Sequence, residues 1–119
     1  MTETLDRLQR QVLENGFTVF ARVPHSAAAA GVGMKLRPTE VLIFGNPKGG
    51  TLLMACDQRV GLDLPLRALA WQDAGGKVWL MMPDPETFKS RYALKPDCDG
   101  PIQAMRAGID RLMDKATEP

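Results

Sequence analysis

Val41-Leu42-Ile43-Phe44 runs straight into Gly45-Asn46-Pro47-Lys48-Gly49-Gly50-Thr51, and no other stretch of the chain narrows its fold as much. Four consecutive apolar residues without polar alternation are the pattern of a central strand covered on both faces. A glycine-rich turn after such a strand, leading into Leu52-Leu53-Met54, predicts a short helix over Thr51 to Cys56. The chain must therefore build a sheet around this strand and layer helices on it.

The flanking segments fill in that plan. Leu5, Leu8, Val12 and Leu13 recur at helical spacing among charged residues, and Asn15-Gly16 supplies a left-handed stop, so a first helix is expected over about residues 3–15. Residues 17–23 alternate as a strand that Pro24 ends by removing a ladder donor. His25 or Ser26 caps a short alanine-rich helix through Ala30. Residues 62–73 read as a long strand entered at Pro65, turning at Ala74-Gly75-Gly76 into a hairpin partner over 77–82. Asp84-Pro85-Glu86 starts a capped helix with Phe88 and Tyr92 on one face. Gly100-Pro101 opens an amphipathic helix whose stripe is Ile102, Met105, Ile109, Leu112 and Met113. The sum is an α+β two-layer sandwich: a mixed sheet of about four strands, helices packed on it, and a closing amphipathic helix, all in one domain over 1–119.

Three linked motifs carry a family resemblance. They are Leu36-x-Pro38-Thr39-x-Val41-Leu42-x-Phe44-Gly45-Asn46-Pro47, then Gly50-Thr51-x-Leu53-Met54, then Leu62-Asp63-Leu64-Pro65-Leu66. Together they resemble the bacterial and archaeal family called domain of unknown function 302 (DUF302), over about Leu5 to Leu94. The resemblance brings no catalytic residue with it. It implies a further strand before the first helix, which is missing or very short here, so an open sheet edge and a homodimer that covers it are expected.

Charge and composition exclude several classes. Fifteen Lys and Arg against fourteen Asp and Glu leave a net charge of +1, spread along the chain, so no footprint for nucleic acid or an anionic membrane is present. No apolar run approaches the length of a membrane span and no secretory leader opens the chain, which predicts a cytoplasmic protein. Cys56 and Cys98 lack Cys-x-x-Cys spacing and are expected as free thiols. With one histidine, no metal site and no cofactor are expected. The seven methionines read as core filling, since Met81 and Met82 point to opposite faces of a strand.

Two constellations are candidates for function. In the first, Asn46, Lys48, Gly49, Gly50 and Thr51 hold a small anionic ligand, because a glycine-rich turn before a helix offers backbone amides. Gly45 and Gly50 keep the Walker spacing, but Thr51 stands where the lysine belongs and Leu52 where the Ser or Thr belongs, so this is no nucleotide triphosphatase loop. Asp63 and Arg67, four apart in the expected strand and so on one face, extend this ligand-binding set or form a structural ion pair. In the second, an enzyme uses His25 as acid or base beside Asp63 and Arg67, although no nucleophile motif accompanies the histidine. The binding reading is preferred; a purely structural role for the motifs stays open.

Overall fold

The computed structural model describes residues 2–117. Helix α1, Thr2–Glu14, leads to strand β1, Thr18–Val23, and the short helix α2, His25–Gly31. Strand β2, Thr39–Gly45, is followed directly by helix α3, Pro47–Cys56, and a 3₁₀ turn, Gln58–Asp63. Strands β3, Leu66–Gln72, and β4, Val78–Met81, form the hairpin; then come α4, Thr87–Arg91, a 3₁₀ turn over Pro96–Cys98, and α5, Asp99–Ala116.

The two-layer α+β architecture with four strands is the one expected, but the sheet is not mixed. Its order is β1-β2-β3-β4 and every neighbouring pair is antiparallel. Each connection returns the chain beside the strand it left, and no crossover lies between neighbours, which antiparallel pairing permits.

Register decides what is buried. Val19, Phe44 and Leu66 stand opposite one another across three strands, and Arg22, Leu42 and Ala68 form the next row of the same face. Leu42, Phe44, Leu66 and Ala68 are buried beneath Leu5, Leu8 and Val12 of α1 and Ile102, Ile109 and Leu112 of α5. Arg22, at the rim of this face, fastens the layers: its guanidinium donates to Asp6 of α1 at 2.6 Å and to Glu40 of β2 at 2.9 Å. The opposite face carries Val41, Ile43, Leu69, Trp71, Trp79 and Met81. There Val41 and Ile43 are half-buried, while Trp79 and Met81 are 41% and 52% exposed. The expectation that β2 is covered on both faces is therefore corrected: its apolar run serves a core on one side and a partly open apolar face on the other.

The β3–β4 turn is organised by one aspartate. Asp73 Oδ1 accepts from the amides of Gly75 and Lys77, its Oδ2 accepts from Trp79 Nε1, and Gly76 takes the left-handed conformation at φ 86°. Trp71 and Trp79 stack with ring centroids 6.0 Å apart.

Three further expectations change. Strand β3 starts at Leu66 instead of residue 62, because Leu62 and Asp63 belong to the preceding 3₁₀ turn. Helix α3 begins at Pro47, so the glycine-rich segment forms its first turn. Cys56 and Cys98 are not free thiols: they are joined in a disulfide with Cα atoms 5.8 Å apart, since the 3₁₀ turn before α5 folds back against the end of α3.

Candidate functional site

A cleft of about 520 Å³ opens where the end of β2 meets the facing sides of α3 and α5. Its floor is aromatic. Phe17 packs edge-on against the buried Phe44, with centroids 6.0 Å apart, and is thereby fixed to the core. The β1–β2 register slips between Val19 and Ala21, so Phe20 is the extra residue of a bulge, and bulges re-aim side chains. Phe20 lies over Gly45, where an added Cβ would stand 3.7 Å from its ring and 3.6 Å from Pro65 Cβ.

The two helices make the walls. Asn46, Gly49, Gly50 and Thr51 present the first turns of α3, and Met105, Gly108 and Arg111 present a stripe of α5. Gly108 is buried mid-helix, where glycine costs about 1 kcal/mol relative to alanine. Its position explains the choice: a Cβ there would meet Phe17 Cζ at 3.2 Å and Arg111 Nη2 at 3.9 Å. Glycine at 108 thus lets α5 close on Phe17.

The first turn of α3 is held by Asn46. Its side-chain Oδ1 accepts from the amides of Lys48 at 3.1 Å and Gly49 at 3.3 Å, its carbonyl accepts from Gly50, and Pro47 has no amide hydrogen. An anion approaching these amides would have to displace the Asn46 side chain. The only charge on the cleft wall among the described residues is Arg111, exposed and in no ion pair among them.

The candidate residues are thus only partly brought together. Asn46, Gly49, Gly50 and Thr51 line the cleft, whereas Lys48 is exposed outside its lining. Asp63 and Arg67 do not share a strand face. Asp63 sits in the 3₁₀ turn, bound to Arg91 at 2.7 Å and accepting a hydrogen bond from the Tyr92 hydroxyl, while Arg67 is exposed opposite Ile43. The Tyr92 hydrogen bond, then Arg91, and faintly Arg67, hold the Asp63 carboxyl below the usual range against the opposing effect of burial. The same bond to Asp63 raises the Tyr92 phenol. His25 is exposed at the start of α2, beyond Val23, where Ser26 bonds to Thr39; Asp63 precedes β3 at the other end of the sheet. The histidine and the aspartate of the enzyme reading are therefore separated by the length of the strands.

Phe17, Phe20, Gly108 and Arg111 were not legible as site residues. One signal was present: a glycine interrupting the apolar stripe of the last helix, three residues before an arginine. Among the described residues no cluster of His, Cys, Asp and Glu is arranged to hold a metal ion, and no helix is long and apolar enough to cross a membrane.

An antiparallel four-stranded sheet with helices over one face, and a cleft at its end, define a two-layer α+β domain. The chain belongs to the family described as domain of unknown function DUF302, whose pattern matches residues 1–116. The crystal structure of an uncharacterized conserved DUF302 protein from Bacillus stearothermophilus superposes with a TM-score of 0.87 at 20% identity, covering 98% of this chain and 90% of that one. At that identity the likeness is one of fold. Two curated relatives are the fluoride-specific ion channel FluC 1 of Brucella suis biovar 1 (strain 1330) and FluC 2 of Brucella melitensis biotype 1. Each is 46% identical over 108 residues, 91% of this chain, but only 42% and 40% of the respective relative. The chain thus spans about two fifths of the length of the curated relatives it matches.

Proposed function

We propose that this chain is a small-molecule-binding domain whose ligand occupies the cleft between α3 and α5. The observation that carries this reading is the cleft itself: about 520 Å³, floored by Phe17 and Phe20 and lying within the ~300–1,000 Å³ range of small-ligand sites. The family motif around Gly45 to Thr51 forms one wall, which gives those residues a role in shaping the cavity. The anion expected at the glycine-rich turn belongs to this reading as a group on the ligand, held at the cleft and not by free helix amides.

The relatives named as fluoride channels support the reading of an appended domain. A pore must be built from membrane-spanning helices or a closed barrel, and the matched segment here is an open four-stranded sheet with no spanning helix among the described residues. On this reading the shared segment would serve as a binding module beside the remaining three fifths of those longer proteins.

Self-association is the second part of this proposal. The partly open face bearing Trp71, Trp79 and Met81 is the surface a second copy would cover. Sedimentation velocity at tens of micromolar tests it, with Trp79→Ser expected to shift the protein toward monomer; a wild-type protein that stays monomeric throughout removes the dimer. A cytoplasmic location belongs to the proposal too.

The cleft is tested with 8-anilinonaphthalene-1-sulfonate, followed through the backbone amides of ¹⁵N-labelled protein. Shifts are expected to converge on Gly45, Gly49, Gly50 and Gly108. Ala104→Phe, an exposed position on the α5 wall, should fill the cleft and abolish them. Shifts scattered over other surfaces, or unchanged by Ala104→Phe, would overturn the reading.

A further inference from the structure

We infer that the cleft selects an amphipathic monocarboxylate, an apolar body with a single acidic head, and that Arg111 is the residue that reads the head. The inference rests on the small-molecule reading of the cleft and adds the chemistry of its ligand.

Three observations define that chemistry. The lining is dominated by side chains that offer no hydrogen bond, with Phe17, Phe20, Leu52, Met54, Leu64 and Met105 around the space. Burial of an apolar body against them is favourable in proportion to the area removed from water. A polar ligand such as a sugar would leave its hydroxyls unpaired there, which disfavours it. Second, among the described residues the charge on the lining is a single arginine, with no Asp or Glu beside it. One cation without a counter-ion among those residues, beside an apolar cavity, calls for one anion.

The third observation is geometric. Arg111 Nη2 lies 3.9 Å from the position a Cβ would take at Gly108, and Phe17 Cζ lies 3.2 Å from that same position. The guanidinium is thus laid back along its own helix, toward the aromatic floor, over the spot that glycine leaves bare. A side chain at 108 would push the arginine and the phenyl ring apart. Guanidinium is planar, always protonated, less strongly hydrated than an ammonium, and matched to a carboxylate by two parallel N–H donors. Placed beside a ring, it offers a head-group site bordering an apolar bed.

The amides of α3 do not compete for the head. Asn46 Oδ1 already accepts from Lys48 and Gly49, and Lys48 lies outside the lining. Arg111 is therefore the discriminating residue, and the ligand's length runs from it toward Phe20 and Leu52.

Octanoate and 1-octanol, which share a chain and differ in the head, test this by calorimetry and amide shifts on wild type, Arg111→Gln and Arg111→Lys. Arg111 is exposed, so both variants retain the core. Wild type is expected to prefer octanoate over octanol by about tenfold, as a charge-assisted hydrogen bond supplies. Arg111→Gln should erase that preference, and Arg111→Lys should restore only part of it. Equal binding of the two by wild type, or a preference that survives Arg111→Gln, would overturn the carboxylate inference and leave the cleft reading standing. Failure of both to move any cleft amide at millimolar concentration would overturn the two together.

Discussion

Cys56, the last residue of α3, is disulfide-bonded to Cys98, immediately before α5, across a sequence separation of 42 residues. The bond thereby ties together the two helices that wall the cleft. Closing a loop of this size restricts the unfolded chain and stabilises a native fold by about 2–4 kcal/mol. Reduction, or the Cys56→Ser/Cys98→Ser double variant, is expected to lower unfolding free energy by that amount in urea titrations. Equal midpoints with and without dithiothreitol would show that the two thiols are not joined in solution.

Asp63 and Tyr92 make stability depend on pH at both ends of the scale. The Asp63 carboxyl titrates below its unfolded value of about 3.9, chiefly because the Tyr92 hydroxyl donates to its ionised form. Its contribution is present above that value and is lost as pH falls through the lower folded one. The Tyr92 phenol is raised, chiefly by the same bond, so its contribution is present below about pH 10 and lost as pH rises through the folded value. Tyr92→Phe should therefore be less stable than wild type near neutrality, with the gap narrowing below pH 4 and above pH 10. Curves of thermal midpoint against pH that run parallel for the two proteins would refute the coupling.

Asn46 holds the start of α3, and its loss should be felt there. Capping side chains replaced by alanine cost about 1 kcal/mol. Asn46→Ala is expected to lose that much in chemical denaturation. Asn46→Asp should lose little, since a carboxylate accepts the same two amides and suits the positive end of a helix. An alanine variant as stable as wild type would show that Lys48 and Gly49 find equivalent partners in water.

The elements were legible where periodicity or capping chemistry is local. The stripe at Leu5, Leu8 and Val12, the Gly75-Gly76 hairpin and the final amphipathic helix follow from spacing alone, and all three stand where the sequence puts them. What spacing cannot convey is pairing across the chain. The run Val41 to Phe44 looks the same whether one face or both are covered, and the register with β1 and β3 decides it. Leu62 and Asp63 read as strand because their apolar neighbours continue into β3, yet the turn before Pro65 takes them out of the sheet. The glycine-rich segment offers itself as a candidate because it is continuous in sequence, and its Asn46, Gly49, Gly50 and Thr51 line the cleft. Its opposite wall, Gly108 and Arg111, lies some sixty residues further on, and only the packing of α5 on Phe17 joins the two.

Leu66 and Arg67 are adjacent in β3 and point to opposite faces, so they separate core from surface within one strand. Leu66 is 3% exposed on the helix-covered face, opposite Phe44; Arg67 is exposed on the other, opposite Ile43. Truncating a buried leucine removes its transfer free energy and leaves a cavity, at about 2–5 kcal/mol. Truncating an exposed residue away from such features usually changes stability by less than about 0.5 kcal/mol. Leu66→Ala is therefore expected to lower the urea midpoint strongly and Arg67→Ala hardly at all. Leu66 also lines the cleft, so octanoate binding should weaken in Leu66→Ala and persist in Arg67→Ala. An Arg67→Ala protein as destabilised as Leu66→Ala would mean that the arginine is buried in solution, by a second copy or another partner on the open face. Repeating the measurement at concentrations low enough to dissociate a dimer then separates those two, because only self-association makes the loss depend on protein concentration.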